Sequence, residues 1–309
     1  MIMNTDAAAE HTITLKDGRR MGYAVFGDPA GRPCLFVHGY ASSRWMAGWA
    51  FPGALLHRQS IRLISVDRPG YGLSTPHPTA GFPSWADDAA ELIDHLGLGR
   101  VAVIGLSMGA GPALALAATH PGLVTTTAVL SGMPPVSPGE RWSPDSFGDA
   151  LYWRLARRAP WLLRRLCSAA AAAMASAARG DADALIARVE RGLPEADLRV
   201  FRELLGGDAR AAFATDVRES CRQGGAAMAH DLRQYLRPWG FDPAGVPGPV
   251  HLWHGLEDPK VPVALARCLA GRLANGTSSF VHGGHFAPFS QLDRILGTVG
   301  TAEDPPLEK

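Results

Sequence analysis

The run Val101-Ala102-Val103-Ile104-Gly105-Leu106-Ser107-Met108-Gly109-Ala110-Gly111 constrains this chain more than any other stretch. An apolar, β-branched run of strand length meets a Gly-x-Ser-x-Gly pentapeptide, and an alanine-rich segment of helical character, residues 112–120, follows at once. The pattern is a strand, a tight turn and a helix. Gly105 and Gly109 remove Cβ atoms where the turning backbone would crowd its neighbours, so Ser107 is expected at the tip in a strained conformation with its Oγ exposed. The first amides of the new helix, Met108 included, then point towards a developing anion.

The rest of the chain repeats that alternation. Residues 12–15 and 20–26 are short alternating runs around Asp17-Gly18, a hairpin signal at the edge of a sheet. Buried strands are expected at 33–37, 61–66, 124–130, 250–253 and 278–282. Helices are expected at 45–58, at 85–96 with Ser84 as its cap, at 263–273 and at 286–299. Strands alternating with helices imply an α/β fold with a doubly wound, mostly parallel sheet covered on both faces. After Ser131 the rhythm changes. Pro134, Pro135 and Pro138 make a break, and helical patterns at 151–166, 169–178, 182–189, 195–205, 209–222 and 226–236 follow without a convincing strand. The expected organisation is a core of residues 1–133 and 246–309 interrupted by an all-helical cap, 134–245. A loose tail is expected at 301–309.

Charge and cysteine content exclude several functions. The net charge of +1 provides no general attraction for nucleic acid. Cys34, Cys167, Cys221 and Cys268 form no C-x-x-C pair and read as reduced, mostly buried thiols. The first eleven residues lack a basic and then an apolar region, so no signal peptide is expected and a cytoplasmic protein is. The longest weakly polar run, 168–178, is about half of the roughly 20 residues that span a bilayer, so no stable membrane insertion is expected. No Gly-rich phosphate loop with a lysine is present, and no cofactor is expected. A metal is not expected either: His251 and His254 are three apart in an apparent strand and point to opposite faces, and His282 and His285 lack an accompanying Cys or carboxylate cluster.

A nucleophilic serine needs a base, and the base an orienting acid. In open α/β sheets these partners belong just past the carboxyl ends of later strands. Asp258 and His285 occupy such positions, and the order Ser, Asp, His along the chain suits this sheet. Glu257 adjoins Asp258 as a competing acid, and His282 reads as a strand or rim histidine.

These segments carry a specific resemblance. His38-Gly39-Tyr40, the stretch from Asp67-Arg68-Pro69-Gly70 to Ser74, Gly105-Leu106-Ser107-Met108-Gly109, and the Asp258 and His285 segments together resemble the α/β-hydrolase superfamily, in its cap-bearing serine hydrolase branch. The resemblance implies Ser107 as nucleophile, His285 as general base and then acid, Asp258 as the acid that fixes the imidazole, and the N–H groups of Tyr40 and Met108 as the oxyanion hole. It makes His38 a brace for that loop and gives Asp67 and Arg68 a structural role. The expected activity is hydrolysis of a carboxylic ester, thioester or lactone of a small to medium apolar substrate. The same triad also serves acyl transfer, cyclisation, carbon–carbon cleavage or lyase chemistry, and a ligand-binding receptor on this scaffold is a further alternative. Tyr40, Trp45, Trp153 and Phe286 are the expected substrate contacts. Five arginines between Arg154 and Arg165 form a basic segment, read first as a solvated helix face and alternatively as a membrane-surface or anion-steering element.

Overall fold

The computed structural model describes residues 10–77, 79, 81–135 and 147–300. The expected loose tail, the N-terminal stretch before Glu10, Pro138 and Trp142 lie outside them.

The chain opens with strands β1 (Glu10–Thr14), β2 (Arg20–Gly27) and β3 (Arg32–Val37), the first two forming the expected edge hairpin. The expected crossover helix is two short ones, α1 (Met46–Ala50) and α2 (Gly53–Arg58), because Pro52 offers no amide to carry the first into the second. β4 (Ile61–Val66), α3 (Phe82–His95), β5 (Val101–Leu106), α4 (Ala110–Thr119) and β6 (Val124–Leu130) follow. Ser84 is not the cap of α3. Gly81 is, and Ser84, in the helix's first turn, turns its hydroxyl back to accept from the Gly81 N–H at 3.0 Å.

Among the described residues, six helices separate β6 from the next strand: α5 (Phe147–Arg158), α6 (Pro160–Ala177), α7 (Ala182–Glu190), α8 (Glu195–Leu204), α9 (Ala209–Ser220) and α10 (Ala226–Gln234). The break expected near residues 167–168 falls instead at Pro160, which starts α6. Proline stops the preceding helix, whereas Cys167 and Ser168 do not. β7 (Val250–Gly255), α11 (Val263–Arg272), β8 (Gly276–Val281) and α12 (Leu292–Gly300) complete the chain. The last helix starts later than expected, since a 3-10 turn containing Pro288 occupies Ala287–Gln291.

The eight strands form one sheet in the order β1-β2-β4-β3-β5-β6-β7-β8, antiparallel at the β1–β2 and β2–β4 pairings and parallel elsewhere. Alternate residues of β3 and β5 face opposite sides. Leu35, Val37, Val101 and Val103 join an apolar cluster with α3 and α4, whereas Cys34, Phe36, Ala102 and Ile104 join one with α1, α2 and α12. Side chains of the six inserted helices enter both clusters: Leu163, Cys167 and Leu232 the first, Leu185, Phe201 and Phe213 the second. Both apolar clusters therefore run from the sheet into the insertion.

Candidate active site

β5 delivers Ser107 into the left-handed region, φ 52°, and a 3-10 turn, Ser107–Gly109, leads into α4. A Cβ on Gly105 would stand 2.6 Å from the Gly109 carbonyl, and one on Gly109 would overlap the carbonyl of Val37. Both glycines are sterically required, and the serine holds a conformation that L side chains rarely adopt.

The loop after β3 packs over this turn: Gly39 lies against the Ser107 side chain. His38 is fully buried and bridges two loops. Its Nδ1 donates to the Gly39 carbonyl at 2.9 Å, and its Nε2 accepts the Arg68 N–H at 3.1 Å. Burial and the neighbouring Arg68 charge push its pKa well down, so the ring is neutral, as that bonding pattern demands. Arg68 also donates to the Gly39 carbonyl, at 2.8 Å. That carbonyl belongs to the same peptide unit as the Tyr40 N–H, so its plane is fixed from two sides. The peptide unit carrying the Met108 N–H is held likewise, its Ser107 carbonyl accepting from Met133 N–H at 3.0 Å.

Asp258 and His285 lie on the loops after β7 and β8. His285 Nδ1 donates to Asp258 Oδ2 at 2.8 Å, while Asp258 Oδ1 accepts the backbone N–H groups of Lys260 and Val261 at 2.8 and 3.0 Å. The donation leaves Nε2 as the unprotonated ring nitrogen of the neutral imidazole. Burial opposes the charge on Asp258, but His285 and the N–H donors outweigh it and hold the carboxyl below its usual range. For His285, burial is outweighed by Asp258 and then Asp197, so its pKa is raised. The exit of β6 ties the Ser107 and His285 loops together: Ser131 Oγ donates to the His285 carbonyl at 2.8 Å, two residues before Met133 reaches Ser107. Glu257 points elsewhere, 3.7 Å from the exposed ring of His282, which lies past the end of β8.

The four expected substrate contacts divide. Tyr40 is half-buried beside the elbow, its hydroxyl 3.7 Å from Cys167 Sγ of α6. Phe286 adjoins His285 and joins Trp49 and Phe201 in an aromatic cluster. Trp153 is buried in the apolar interior with α6. Trp45 turns away to the sheet edge, where its indole N–H donates to Glu10 of β1 and its ring meets Phe26 of β2.

Three buried aspartates of the insertion escaped the sequence reading. Asp197 of α8 accepts the Phe286 N–H at 2.7 Å, Asp216 of α9 accepts from Ser42, Ser43 and Trp49, and Asp231 of α10 forms a bidentate pair with Arg68 at 2.7 Å. Each sits on its helix's apolar stripe, as Asp197 does with Val200 and Phe201. That placement was a readable signal, because a carboxylate on a buried face requires a donor.

The matched family model describes the alpha/beta hydrolase fold and covers residues 32–291. The chain belongs to the alpha/beta hydrolase family. Among curated proteins, the chain is 31% identical over 127 residues to a serine hydrolase-like protein of Danio rerio, covering 40% of this chain and 38% of that one. It is 30% identical over 141 residues to a non-heme chloroperoxidase of Kitasatospora aureofaciens, covering 45% and 50%. The matches thus span half or less of those relatives. Among solved structures, a thermophilic esterase from Thermogutta terrifontis superposes with a TM-score of 0.62 at 23% identity, over 94% of this chain and 97% of that one, a likeness of fold.

Proposed function

We propose that this hydrolase cleaves a carboxylic ester of a small to medium apolar substrate through an acyl-enzyme on Ser107. The observation that carries the reading is the joint placement of a left-handed serine at the strand–helix turn and a carboxylate-bound imidazole on the adjoining loops. His285 Nε2 takes the Ser107 proton as Oγ attacks the acyl carbon. The Tyr40 and Met108 N–H groups hold the oxyanion, each donor in such sites being worth about 3–4 kcal/mol. Collapse expels the alcohol with the proton from His285, and water repeats the cycle to release the acid. The apolar preference rests on Phe286 and its aromatic neighbours beside the base.

The test is turnover of wild type and Ser107→Ala on esters, thioesters and lactones of graded size, alongside labelling by a fluorophosphonate. Ester turnover and labelling, both lost in Ser107→Ala, are expected. A wild-type serine that labels while every substrate stays intact would refute hydrolysis as the reaction, and failure to label would refute the nucleophile.

A further inference from the structure

Residues 151–178 hold five arginines and no carboxylate, in a chain whose net charge is only +1. These arginines gather where α5 meets α6. Arg154, Arg157 and Arg158 of α5 and Arg164 and Arg165 of α6 are all exposed, and among the described residues none forms an ion pair. The same two helices carry both of the exposed large hydrophobic side chains among the described residues, Leu151 at 37% and Trp161 at 65% exposure. Arg165 lies over the Trp161 ring, 5.7 Å from its centroid. Below them the exposed stripe of α6 continues uncharged through Ser168, Ala169, Ala172 and Ala173, at the three- and four-residue spacing of one helix face. The opposite face is buried as Leu163, Cys167 and Ala171, and it is this face that reaches Tyr40.

Tryptophan and arginine also recur in protein–protein interfaces, but five guanidinium groups with no carboxylate among them need a partner dense in negative charge. An exposed indole under one guanidinium, on helices that carry four more, matches the water–lipid boundary. Tryptophan settles at headgroup depth, arginine pairs with phosphate through two N–H groups, and its methylene stem lies along apolar surface. No helix of the described residues is long and apolar enough to cross a membrane, so attachment would be peripheral. We propose that the α5–α6 corner docks this protein reversibly on an anionic lipid surface, with Trp161 in the headgroup layer and the five arginines against the lipid phosphates. The inference rests on this surface alone and not on the reaction at Ser107.

The experiment is co-sedimentation of the whole protein with phosphatidylcholine vesicles, with and without 30% phosphatidylserine. Binding to the anionic vesicles only is expected, with release as NaCl rises from 0.15 to 0.5 M. Arg164→Glu/Arg165→Glu is expected to weaken the partition at least about tenfold, and Trp161→Ala to weaken it severalfold. Arg58→Glu/Arg199→Glu, with the same charge change on other exposed helices, is expected to leave it unchanged; circular dichroism checks the fold of each variant. Absence of wild-type binding overturns the proposal, as does equal weakening by the control pair. Heparin binding as tight as vesicle binding, with Trp161→Ala neutral in both, also overturns it, because the patch would then be a general polyanion surface.

Discussion

Asp258 and Asp197 act on His285 from two elements, one beyond β7 and one on α8, and the two carboxylates do different work. Asp258 fixes the tautomer, so Asp258→Asn is expected to keep the fold yet lower kcat by on the order of 10⁴. A circular dichroism spectrum and a progress curve check both halves, and near-full turnover would transfer the role to another acid. Asp197 acts through charge. On the proposed mechanism His285, its pKa raised, is inactive as a base while protonated, so activity is expected to rise with pH as the proton leaves. Removing the Asp197 charge lowers that pKa. The acid limb of kcat/KM against pH is therefore expected to move to lower pH in Asp197→Asn, and an unmoved limb would restrict Asp197 to holding the Phe286 amide. The left-handed turn at Ser107 and the Asp258–His285 pairing were legible because strand-end residues announce themselves by what precedes them. Asp197 was not, because an acid in the first turn of a helix already has an explanation in the helix dipole.

At the scale of elements, helices α8, α9 and α10 each press one aspartate onto a different loop at the sheet's carboxyl edge, those after β8, β3 and β4. The adjacency of Asp67 and Arg68 concealed this. In sequence they look like partners, but they diverge in space, Asp67 to Arg44 at 2.7 Å and Arg68 to Asp231. Breaking a buried pair strands a charge. Asp231→Ala is expected to cost about 3–5 kcal/mol, and Arg68→Met/Asp231→Leu to recover most of it, as read from urea denaturation. If the double variant regains stability but not kcat, the pair also sets the Tyr40 peptide, whose carbonyl Arg68 holds; full recovery of kcat would make it structural alone. The sheet strands and helix existence followed from periodicity, whereas helix ends followed proline, which is why the readings at residues 45–58 and 151–178 had the right content and the wrong breaks.

Across the whole molecule, the inserted helices share their apolar interior with the sheet, and this predicts one cooperative unit. The cysteines report on it. Cys268 is exposed, whereas Cys34 lies in the sheet and Cys167 and Cys221 in the insertion, all three buried. One thiol is expected to react with a disulfide reagent in the native protein, and the other three to react together as denaturant unfolds it. Reaction of Cys167 and Cys221 ahead of Cys34 would show an insertion that opens by itself. The same continuity bears on the order in which the site is made. Ser107 and His285 are about 180 residues apart, roughly 10–35 s of synthesis at common elongation rates. Every helix of the insertion, with its three fastening aspartates, emerges within that interval. The growing chain thus acquires the inserted helices before His285, so on the proposed mechanism Ser107 has no base until the insertion has been made.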